Sequence, residues 1–504
     1  MPLQRKTGRH IHLIGIGGAG ISAIARVLLG RGFVVSGSDQ QPNQLTKNLE
    51  AEGAKIYEGH KAEHVAGANL IVRSSAVPDD NTEVVAANEA GIPTLKRAEF
   101  LGSLMADNVG VAVAGTHGKT TTAGMIAHIL LRCRLDPSVI VGGHLPSLGS
   151  NGYAGKGHHF VVEADEYDRM FLGLRPKISV VTNVEYDHPD IFESEKVYRD
   201  AFNQFVKLLP ENGGRIILCG EDRGALTLLN AVPTGVQKVI YGIGEGVPSL
   251  PGVNVLRAQG LAINQFGGYD FQVSLNGKKL GPARLRVPGR HNVLNALAAI
   301  AMALYEGLGY KHISHTLSTF SGVGRRFELK GTVNGISVID DYAHHPTEIR
   351  ATLAAARDQY PTSRIWAVWQ PHTFSRIEAF KDDFATCFEQ ADRVIVLDVY
   401  RSREADQKLD LKNLVGQIQH GHVEFTMQMA QATQKLLQIL EPNDVVITLN
   451  AGDAFAMSEW LVDGLREMAS DSFSEAAEPP KHQQAQLDAT AEQVRRLMAK
   501  LQEE

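Results

Sequence analysis

The sequence contains little cysteine and no paired-cysteine motif. Three cysteines, Cys133, Cys219 and Cys387, are spread over 504 residues, and none has the CxxC spacing. This usage is not that of a disulfide-stabilised scaffold. We therefore expect the three thiols to be reduced and to behave mostly as small buried hydrophobic groups.

Long apolar runs and net positive charge are also absent from the sequence. No apolar run reaches the roughly 18 residues that a transmembrane helix needs. The first residues, MPLQRKTGRH, lack the apolar core of a signal peptide. The formal net charge of −6 argues against nucleic acid as the main partner, because phosphate backbones select basic surfaces. We expect a cytoplasmic protein that binds neither a membrane nor nucleic acid.

What the sequence does contain is an alternation of apolar strands and helices. This rhythm fills the first hundred residues, starts again at the strand NVGVAVAG, and starts a third time after GVGRRFELKG. Between the last two, residues 250–288 are rich in turns, and Asn276-Gly277 predicts a hairpin. A chain of this length exceeds what one core supports, so three domains are expected.

We predict an α/β fold with three domains and a polar tail. The predicted parts are a Rossmann-like N-terminal domain at 1–107, a central α/β domain of P-loop ATPase type at 108–328, a C-terminal Rossmann-like α/β domain at 329–470, and a disordered tail at 471–504.

A glycine-rich loop at residues 15–20 follows the first predicted strand. Gly15, Gly17 and Gly20 fit G-x-G-x-x-G, in which glycines permit a tight turn and the N–H groups of the next helix face an anion. Asp39 ends the second strand about 20 residues later, where a carboxylate usually meets a ribose hydroxyl. The loop indicates a nucleotide diphosphate, for which NAD is the default. A tight turn without any ligand is the alternative.

A second loop, GTHGKTTT, begins at Gly115 between an apolar strand and a helix. Lys119 can reach the β- and γ-phosphates of a nucleotide, and the Thr120 hydroxyl can ligate Mg²⁺. The loop is shorter than the full P-loop, because the first glycine of that motif would fall at Val113. We interpret it as a triphosphate site.

Two more predicted strands end in polar residues. VVEADEYD contains Glu163, Asp165 and Glu166, and VVTNVEYDHPD contains His188. The C-terminal ends of strands in open α/β sheets are where ligands bind. A carboxylate and an imidazole opposite Lys119 suggest a second Mg²⁺ position, although histidine is an unusual ligand for magnesium.

At this point the sequence resembles the Mur ligases, the ATP-dependent amino-acid ligases of peptidoglycan synthesis. From His10 to about Trp460, eight motifs stand in the family's order: GTHGKTTT, EADE, TNVEYDH, GRHNVLNALAA, GVGRRFE, DDYAHHPTE, QPHTFSR and NAGD. GIGGAGISAIA, SGSD, SSAV, GGHLPSLGSN and the pair HHPTE with QPHTFSR look like the branch that adds L-alanine to UDP-N-acetylmuramate. The resemblance, not the glycine motif, replaces NAD by the UDP of the sugar.

The resemblance implies a reaction and two nucleotide sites. The lactoyl carboxylate attacks the γ-phosphate of ATP, and the amine of L-alanine then displaces phosphate from the acyl phosphate. ATP binding is carried over to Gly115, Thr116, His117, Gly118, Lys119, Thr120, Thr121, Asn292, Asn295, Arg326 and Asp341. Binding of the UDP-sugar is carried over to Gly15, Gly17, Gly18, Gly20, Ser38, Asp39, Ser74 and Ser75. The implied cofactor is Mg²⁺, held by Thr120, Glu163 and His188.

Three residues match family motifs near the amino-acid substrate. Arg376 is the expected carboxylate clamp, because its planar fork pairs with a carboxylate through two hydrogen bonds. His345 or His372 would accept the amine proton. The alternative for each imidazole is a packed, hydrogen-bonded residue at a strand end. Together the resemblance gives the catalytic residues as Lys119, Glu163, His188, His345 and Arg376.

One position departs from several members of the family. They carry a carbamoylated lysine that supports the second Mg²⁺, and the pattern YRDAFNQF puts Phe202 at that place. The alanine-adding branch also lacks this lysine. Three other functions are alternatives: the sister ligase that reattaches a recycled tripeptide, a nicotinamide-dependent oxidoreductase, and an ATP-regulated protein that binds a sugar nucleotide without turnover. The sequence is compatible with a monomer or a homodimer.

Overall fold

The structure, a computed structural model, describes residues 8–402, 404 and 411–475. The chain divides into two compact units, Met1–Arg326 and Phe327–Glu504. The first unit contains two sheets and the second contains one. The predicted boundary at 328/329 falls beside the division between the units, whereas the one at 107/108 separates two sheets of the first unit. The last helix extends to Glu475, into the predicted tail, and residues 476–504 lie outside the described part.

The first sheet is five-stranded and parallel, with the strand order β3-β2-β1-β4-β5. Its elements are β1 His10–Ile14, α1 Ala19–Gly30, β2 Val34–Asp39, α2 Gln44–Ala51, β3 Lys55–Glu58, a 3₁₀ turn at Ala62–Val65, β4 Leu70–Arg73, α3 Thr82–Glu89, β5 Thr94–Lys96 and α4 Arg97–Met105. The strand order reverses between β1 and β4. The glycine-rich loop after β1 therefore lies at a topological switch point, where open α/β sheets bind ligands.

The second sheet has ten strands in the order β15-β14-β13-β12-β11-β10-β6-β9-β7-β8. Its elements are β6 Val109–Ala114, α5 Lys119–Arg132, β7 Ser138–Leu145, β8 Ser150–Tyr153, β9 His159–Glu163, a 3₁₀ segment at Tyr167–Gly173, β10 Ile178–Val181, α6 Glu195–Val206, β11 Arg215–Cys219, α7 Arg223–Thr227, a 3₁₀ turn at Leu228–Asn230, β12 Gln237–Ile243, β13 Val253–Ile263, β14 Tyr269–Leu275, β15 Lys278–Arg284, α8 Arg290–Tyr305 and α9 Tyr310–Leu317.

Two features of the second sheet follow from its sequence. In β6, Val111 and Val113 on one face and Ala112 and Ala114 on the other are fully buried, as expected of a parallel strand covered on both faces. The predicted hairpin is confirmed: β14 and β15 pair antiparallel across Asn276 and Gly277, whose φ angles of 50° and 79° suit a type I′ turn.

The second unit is built on a six-stranded sheet with the order β16-β17-β21-β18-β19-β20. Strand β16 is antiparallel to β17, and the other pairs are parallel. The elements are β16 Glu328–Val333, β17 Ile336–Asp341, α10 Pro346–Gln359, β18 Arg364–Trp369, α11 Phe374–Ala379, α12 Lys381–Phe384, β19 Arg393–Val396, α13 Leu411–Gln417, β20 Val423–Phe425, α14 Met429–Ile439, β21 Asp444–Leu449 and α15 Phe455–Glu475.

The structure agrees with the expectations for the cysteines and for the absence of long apolar runs. The three cysteines are free; Cys219 and Cys387 are buried and Cys133 is half-buried. Burial raises the pKa of the Cys219 thiol to about 11 and raises that of Cys387 further. Within the part of the chain that the structure describes, no helix is long and apolar enough to cross a membrane.

A buried carboxylate ties the first sheet to helix α3. Glu83 is fully buried; the Nδ1 atom of His64 donates to it at 2.6 Å, and the Ser38 hydroxyl donates at 2.5 Å. Nδ1 of His60 lies 3.2 Å away and Nε2 of His12 lies 3.7 Å away. Burial alone would raise the pKa of Glu83, but the contacts with His12, Ser38 and His64 outweigh it and lower the pKa to about 2. The anion therefore joins two strands, a helix and the 3₁₀ turn.

We expect Glu83→Gln to destabilise the protein by about 1–3 kcal/mol at neutral pH, because the buried imidazoles lose a charged partner. A lowered carboxyl pKa contributes stability above the unfolded value, and this contribution disappears as the pH falls from 4.5 through about 2. Melting temperatures from circular dichroism should therefore fall less steeply in Glu83→Gln than in the wild type over this range.

The matched control for this experiment is Glu89→Gln, which removes an exposed carboxylate from the same helix. Its acid dependence should follow that of the wild type. Trp366, Trp369 and Trp460 are the three tryptophans of the chain and all lie in the second unit, so their fluorescence monitors that unit separately. If the melting temperatures of the wild type and Glu83→Gln fell in parallel with pH, the proposed stabilisation by the Glu83 carboxylate would be contradicted.

Candidate active site

The loop at residues 115–121 connects β6 to α5 and has no room for larger side chains at its glycines. A Cβ atom at Gly115 would lie 2.0 Å from the hydroxyl oxygen of Thr182. One at Gly118 would lie 2.7 Å from Oδ1 of Asn295, and Gly118 has a φ of 80°. Helix α5 begins at Lys119 without a side-chain cap, so its first N–H groups are free to donate hydrogen bonds to phosphate oxygens.

The segment after β10 holds this loop in place. The Thr116 hydroxyl donates to the carbonyl oxygen of Glu185 at 2.7 Å and lies 2.9 Å from the hydroxyl of the buried Tyr198. The backbone N–H of His117 donates to Oδ1 of Asn183 at 2.8 Å. The motif TNVEYDH therefore shapes the loop as well as ending a strand.

The amine of Lys119 is held by a buried carboxylate. Its Nζ donates to the carbonyl oxygens of Gly115 at 2.6 Å and Thr116 at 3.0 Å, and it lies 2.8 Å from both carboxylate oxygens of Glu166. Burial alone would lower the pKa of Lys119, but the charges of Glu166 and Asp165 outweigh it and raise the pKa. Lys119 is therefore a fixed positive charge at the start of α5.

Thr120 and Glu163 form the pair of oxygen groups that the sequence predicts for a metal ion. The Thr120 hydroxyl donates to Oε1 of Glu163 at 2.8 Å, and the N–H of Gly142 donates to Oε2 at 2.7 Å. Glu163 ends β9 opposite Val113 of β6, which brings its carboxylate to the loop. A hydroxyl and a carboxylate are ligands that Mg²⁺ prefers, so this pair fits the ion.

His188 also lies near the carboxylate of Glu166. Its Nε2 atom is 3.6 Å from Oε1 of Glu166 and 3.8 Å from Oδ2 of Asp187. Its backbone has a φ of 56°, and the ring packs edge-on against Tyr167 at 5.1 Å. The second proposed metal position thus has two carboxylates beside the imidazole, which suits magnesium better than histidine alone.

Glu166 was not among the predicted ligands, because VVEADEYD contains four acids, Asp168 included, and a one-dimensional motif does not show which of them is buried. The structure separates them: Glu166 is fully buried, whereas Asp168 is exposed. A carboxylate with no exposed area must be paired, and the lysine of the phosphate-binding loop is its partner.

Asn292 and Asn295 lie behind the loop in a hydrogen-bonded chain. The Thr122 hydroxyl donates to Oδ1 of Asn295, whose amide donates to Asn292, whose own amide donates to the carbonyl oxygen of Pro288. Both asparagines are about 95% buried. These contacts support the shape of the loop, and the adenine contact implied by the resemblance stays a prediction.

Phe202 is part of a core of aromatic rings. It is fully buried on α6 and packs against Phe171 and Tyr198, with ring centroids 5.2 Å away in each case. The position that holds a lysine in several relatives therefore contributes packing in this chain and offers no metal ligand.

The glycine-rich loop brings together three strand ends. The N–H of Gly17 donates to Oδ2 of Asp39 at 2.9 Å, and a Cβ atom at Gly15 would lie 3.0 Å from that of Ser74. Asp39 thus shapes the loop at the position predicted to meet a ribose. Ser75 is exposed beside it, whereas the Ser38 side chain is fully buried against Glu83, behind the loop.

The second unit contains the other predicted residues. Asp341 accepts hydrogen bonds from the N–H groups of Phe327 and Ala343, both at 2.7 Å. Arg376 on α11 is 97% buried, and its Nη1 atom lies 2.9 Å from Nδ1 of His372. Arg326, in contrast, is the last residue of the first unit, where its N–H donates to the carbonyl oxygen of Val323.

The hydrogen bonds of the two histidines bear on their predicted role. His345 caps α10, and its Nδ1 atom accepts from the N–H of Thr347 at 3.3 Å. Nδ1 of His372 accepts from Arg376, which has only donors. A neutral imidazole that accepts at Nδ1 carries its proton on Nε2. Both imidazoles are hydrogen-bonded at Nδ1, and the role of either one as acceptor of the amine proton stays a prediction.

Models of one protein family match almost the whole described chain. They are the Mur ligase family catalytic domain at residues 10–108, the Mur ligase middle domain at 113–303 and the Mur ligase glutamate ligase domain at 325–452. The chain belongs to the Mur ligase family.

Curated relatives narrow the comparison within the Mur ligases. The UDP-N-acetylmuramate–L-alanine ligase of Salinibacter ruber is 43% identical over 464 residues, which cover 90% of this chain and 94% of the relative. The enzyme of the same name from Roseiflexus sp. is 44% identical over 472 residues, which cover 91% and 99%.

Solved structures of Mur ligases agree with this likeness. The UDP-N-acetylmuramate–alanine ligase of Thermotoga maritima has a TM-score of 0.76 at 29% identity and covers 92% of this chain and 99% of its own. A murein peptide ligase of Psychrobacter arcticus has a TM-score of 0.68 at 26% identity and covers 91% and 99%. The predicted fold class, a three-domain α/β fold with Rossmann-like sheets, is confirmed.

We expect Glu166→Gln to destabilise this Mur ligase by about 3 kcal/mol without ligands, because it leaves the charge of Lys119 unpaired. The double variant Lys119→Met/Glu166→Gln should regain most of that loss, since both charges are then gone. Urea unfolding followed by far-UV circular dichroism measures the three free energies. Asp168→Asn, which removes an exposed charge nearby, is the control and should stay within about 0.5 kcal/mol of the wild type. A double variant that is no more stable than Glu166→Gln would contradict the coupling between Lys119 and Glu166.

Proposed function

We propose that this Mur ligase joins L-alanine to the lactoyl carboxylate of UDP-N-acetylmuramate and converts ATP to ADP and phosphate. The observation that carries the proposal is the fixed charge of Lys119 beside Thr120 and Glu163, at the uncapped start of α5. It occurs in a chain more than 40% identical to two alanine ligases over about nine tenths of its length.

The proposed first step activates the carboxylate. A carboxylate is a poor acyl donor, because its leaving group would be oxide. Its oxygen therefore attacks the γ-phosphorus of ATP, the bond to the β–γ bridging oxygen breaks, and ADP leaves. Such transfers depend on positioning and charge neutralisation. Lys119 and the first N–H groups of α5 supply both for the phosphate oxygens.

The residues present fit Mg²⁺ at two positions. Thr120 and Glu163 would hold one ion, and Glu166, Asp187 and His188 would hold the other. Bound Mg²⁺ neutralises charge on the phosphate oxygens. With both ligands bound, Lys119 would pair with a phosphate oxygen and Glu166 with the cation, so neither buried charge would be left unpaired.

The proposed second step forms the amide bond. The neutral amine of L-alanine attacks the carbonyl carbon of the acyl phosphate, the carbon–oxygen bond to phosphorus breaks, and phosphate leaves. The departing phosphate is a competent acceptor for the proton that the amine loses, so no histidine is required as the base. Arg376 is proposed to bind the carboxylate of alanine through its guanidinium.

We expect phosphate release only when UDP-N-acetylmuramate, ATP and L-alanine are all present, and none when the tripeptide replaces alanine. Lys119→Ala should lower kcat by about 10²–10³-fold, because it removes a charge that stabilises the transferring phosphoryl group. Lys156→Ala, an exposed lysine of the same unit, is the control. Phosphate release with the tripeptide but not with L-alanine, or normal turnover in Lys119→Ala, would refute the proposal.

Arg376→Lys should raise the KM for L-alanine by about 10- to 100-fold and leave the KM for ATP nearly unchanged, because lysine cannot form the two parallel hydrogen bonds. Initial rates at saturating ATP and UDP-N-acetylmuramate measure this. Arg350→Lys, at an exposed arginine on α10, should behave as the wild type. An unchanged KM for alanine in Arg376→Lys would remove Arg376 from the substrate site.

A further inference from the structure

Arg97 lies between the glycine-rich loop and the acidic segment that follows β9. It begins α4, and a Cβ atom added to Gly20 would lie 2.1 Å from its Nη1 atom. Its Nη2 atom donates to Oδ2 of Asp165 at 3.0 Å, and Asp165 follows β9 in the acidic segment beside Lys119. The Arg97 side chain is 17% exposed. One guanidinium thus lies against the glycine-rich loop and the acids of the phosphate-binding site.

The part of the glycine-rich loop beside Arg97 is suited to an anion. Helix α1 begins after Gly18 without a side-chain cap, so the N–H groups of Ala19, Gly20 and Ile21 have no acceptor within the helix. A guanidinium beside these donors adds a full positive charge to the partial charge of the helix end. The third glycine of G-x-G-x-x-G has a specific purpose here, because any side chain at position 20 would displace Arg97.

Asp165 is the group that now neutralises Arg97. Its Oδ2 atom accepts from Nη2 of Arg97 at 3.0 Å, and its Oδ1 atom accepts from the N–H of Tyr167 at 3.1 Å. An anion bound to the glycine-rich loop would compete with Oδ2 of Asp165 for the same guanidinium.

We propose that Arg97 binds the diphosphate of the sugar nucleotide and that Asp165 competes with this diphosphate for the guanidinium. The inference rests on the proposed function, which places a UDP-sugar at residues 15–20. When the diphosphate takes the Arg97 guanidinium, the Asp165 carboxylate, in the acidic segment beside Lys119, loses that hydrogen bond. Binding at the glycine-rich loop thereby changes the electrostatic surroundings of Lys119 without any movement of the backbone.

The test is a double-mutant cycle on binding affinity, measured by calorimetry with UDP-N-acetylmuramate and with UDP in the absence of ATP. Arg97→Met should weaken the binding of both ligands by about 10- to 100-fold, as expected for loss of a charge-assisted hydrogen bond. Asp165→Asn should tighten the binding of both ligands several-fold, because it removes the carboxylate that competes for Arg97. In the Arg97→Met background the same substitution should change the affinity little. This non-additivity is the signature of competition for one group.

Two further variants guard against a trivial result. Lys96→Met removes an exposed positive charge next to Arg97 and should bind both ligands as the wild type does. Arg97→Lys keeps the charge, should fold if Arg97→Met does not, and should show a smaller loss of affinity. Melting curves from circular dichroism establish that each variant is folded.

The outcomes separate this inference from the function on which it rests. If the wild type binds neither UDP-N-acetylmuramate nor UDP, the proposed function fails together with the inference. If the wild type binds both and the folded Arg97 variants bind equally well, only the role of Arg97 is refuted. The competition is refuted if Asp165→Asn tightens binding equally in both backgrounds.

Discussion

The buried ion pair between Lys119 and Glu166 is the interaction on which the arrangement of the active site depends. Neither group could be buried alone, because an unpaired charge of low exposure costs several kcal/mol. The lysine also donates to two carbonyl oxygens of its own loop, so the pair fixes the loop in the form that phosphate needs. Glu163, at the end of β9, accepts from the neighbouring Thr120, and Nε2 of His188 lies 3.6 Å from Glu166.

Much of the fold could be predicted, because its central strands are apolar and end in recognisable loops. Strands β1, β6, β9 and β10 all lie where the pattern of buried residues places them. The missed strands are short or polar: β3 and β5 have four and three residues, and β8 reads SNGY. Such segments pair because a neighbouring strand offers its edge, and this information is not contained in their own sequence.

The candidate site was predictable to the extent that its residues belong to motifs. Lys119, Thr120 and Glu163 were found in this way, and the structure brings them together. Arg97 was not found, because an arginine at the start of an ordinary helix has no pattern. Ser38 shows the opposite case: it stands in a motif, yet the fold turns its hydroxyl towards a buried carboxylate. Which side of a strand end faces the ligand is decided by packing between distant segments.

The aromatic core around Phe202 has a consequence for the chemical environment that this enzyme requires. A carbamoylated lysine forms when its amine takes up carbon dioxide, so an active site that uses one depends on dissolved gas. Phenylalanine has no such amine, and its ring is enclosed by Phe171 and Tyr198. At this position, then, the protein has permanent packing and no group open to that reversible modification, so the local bicarbonate concentration has nothing there on which to act.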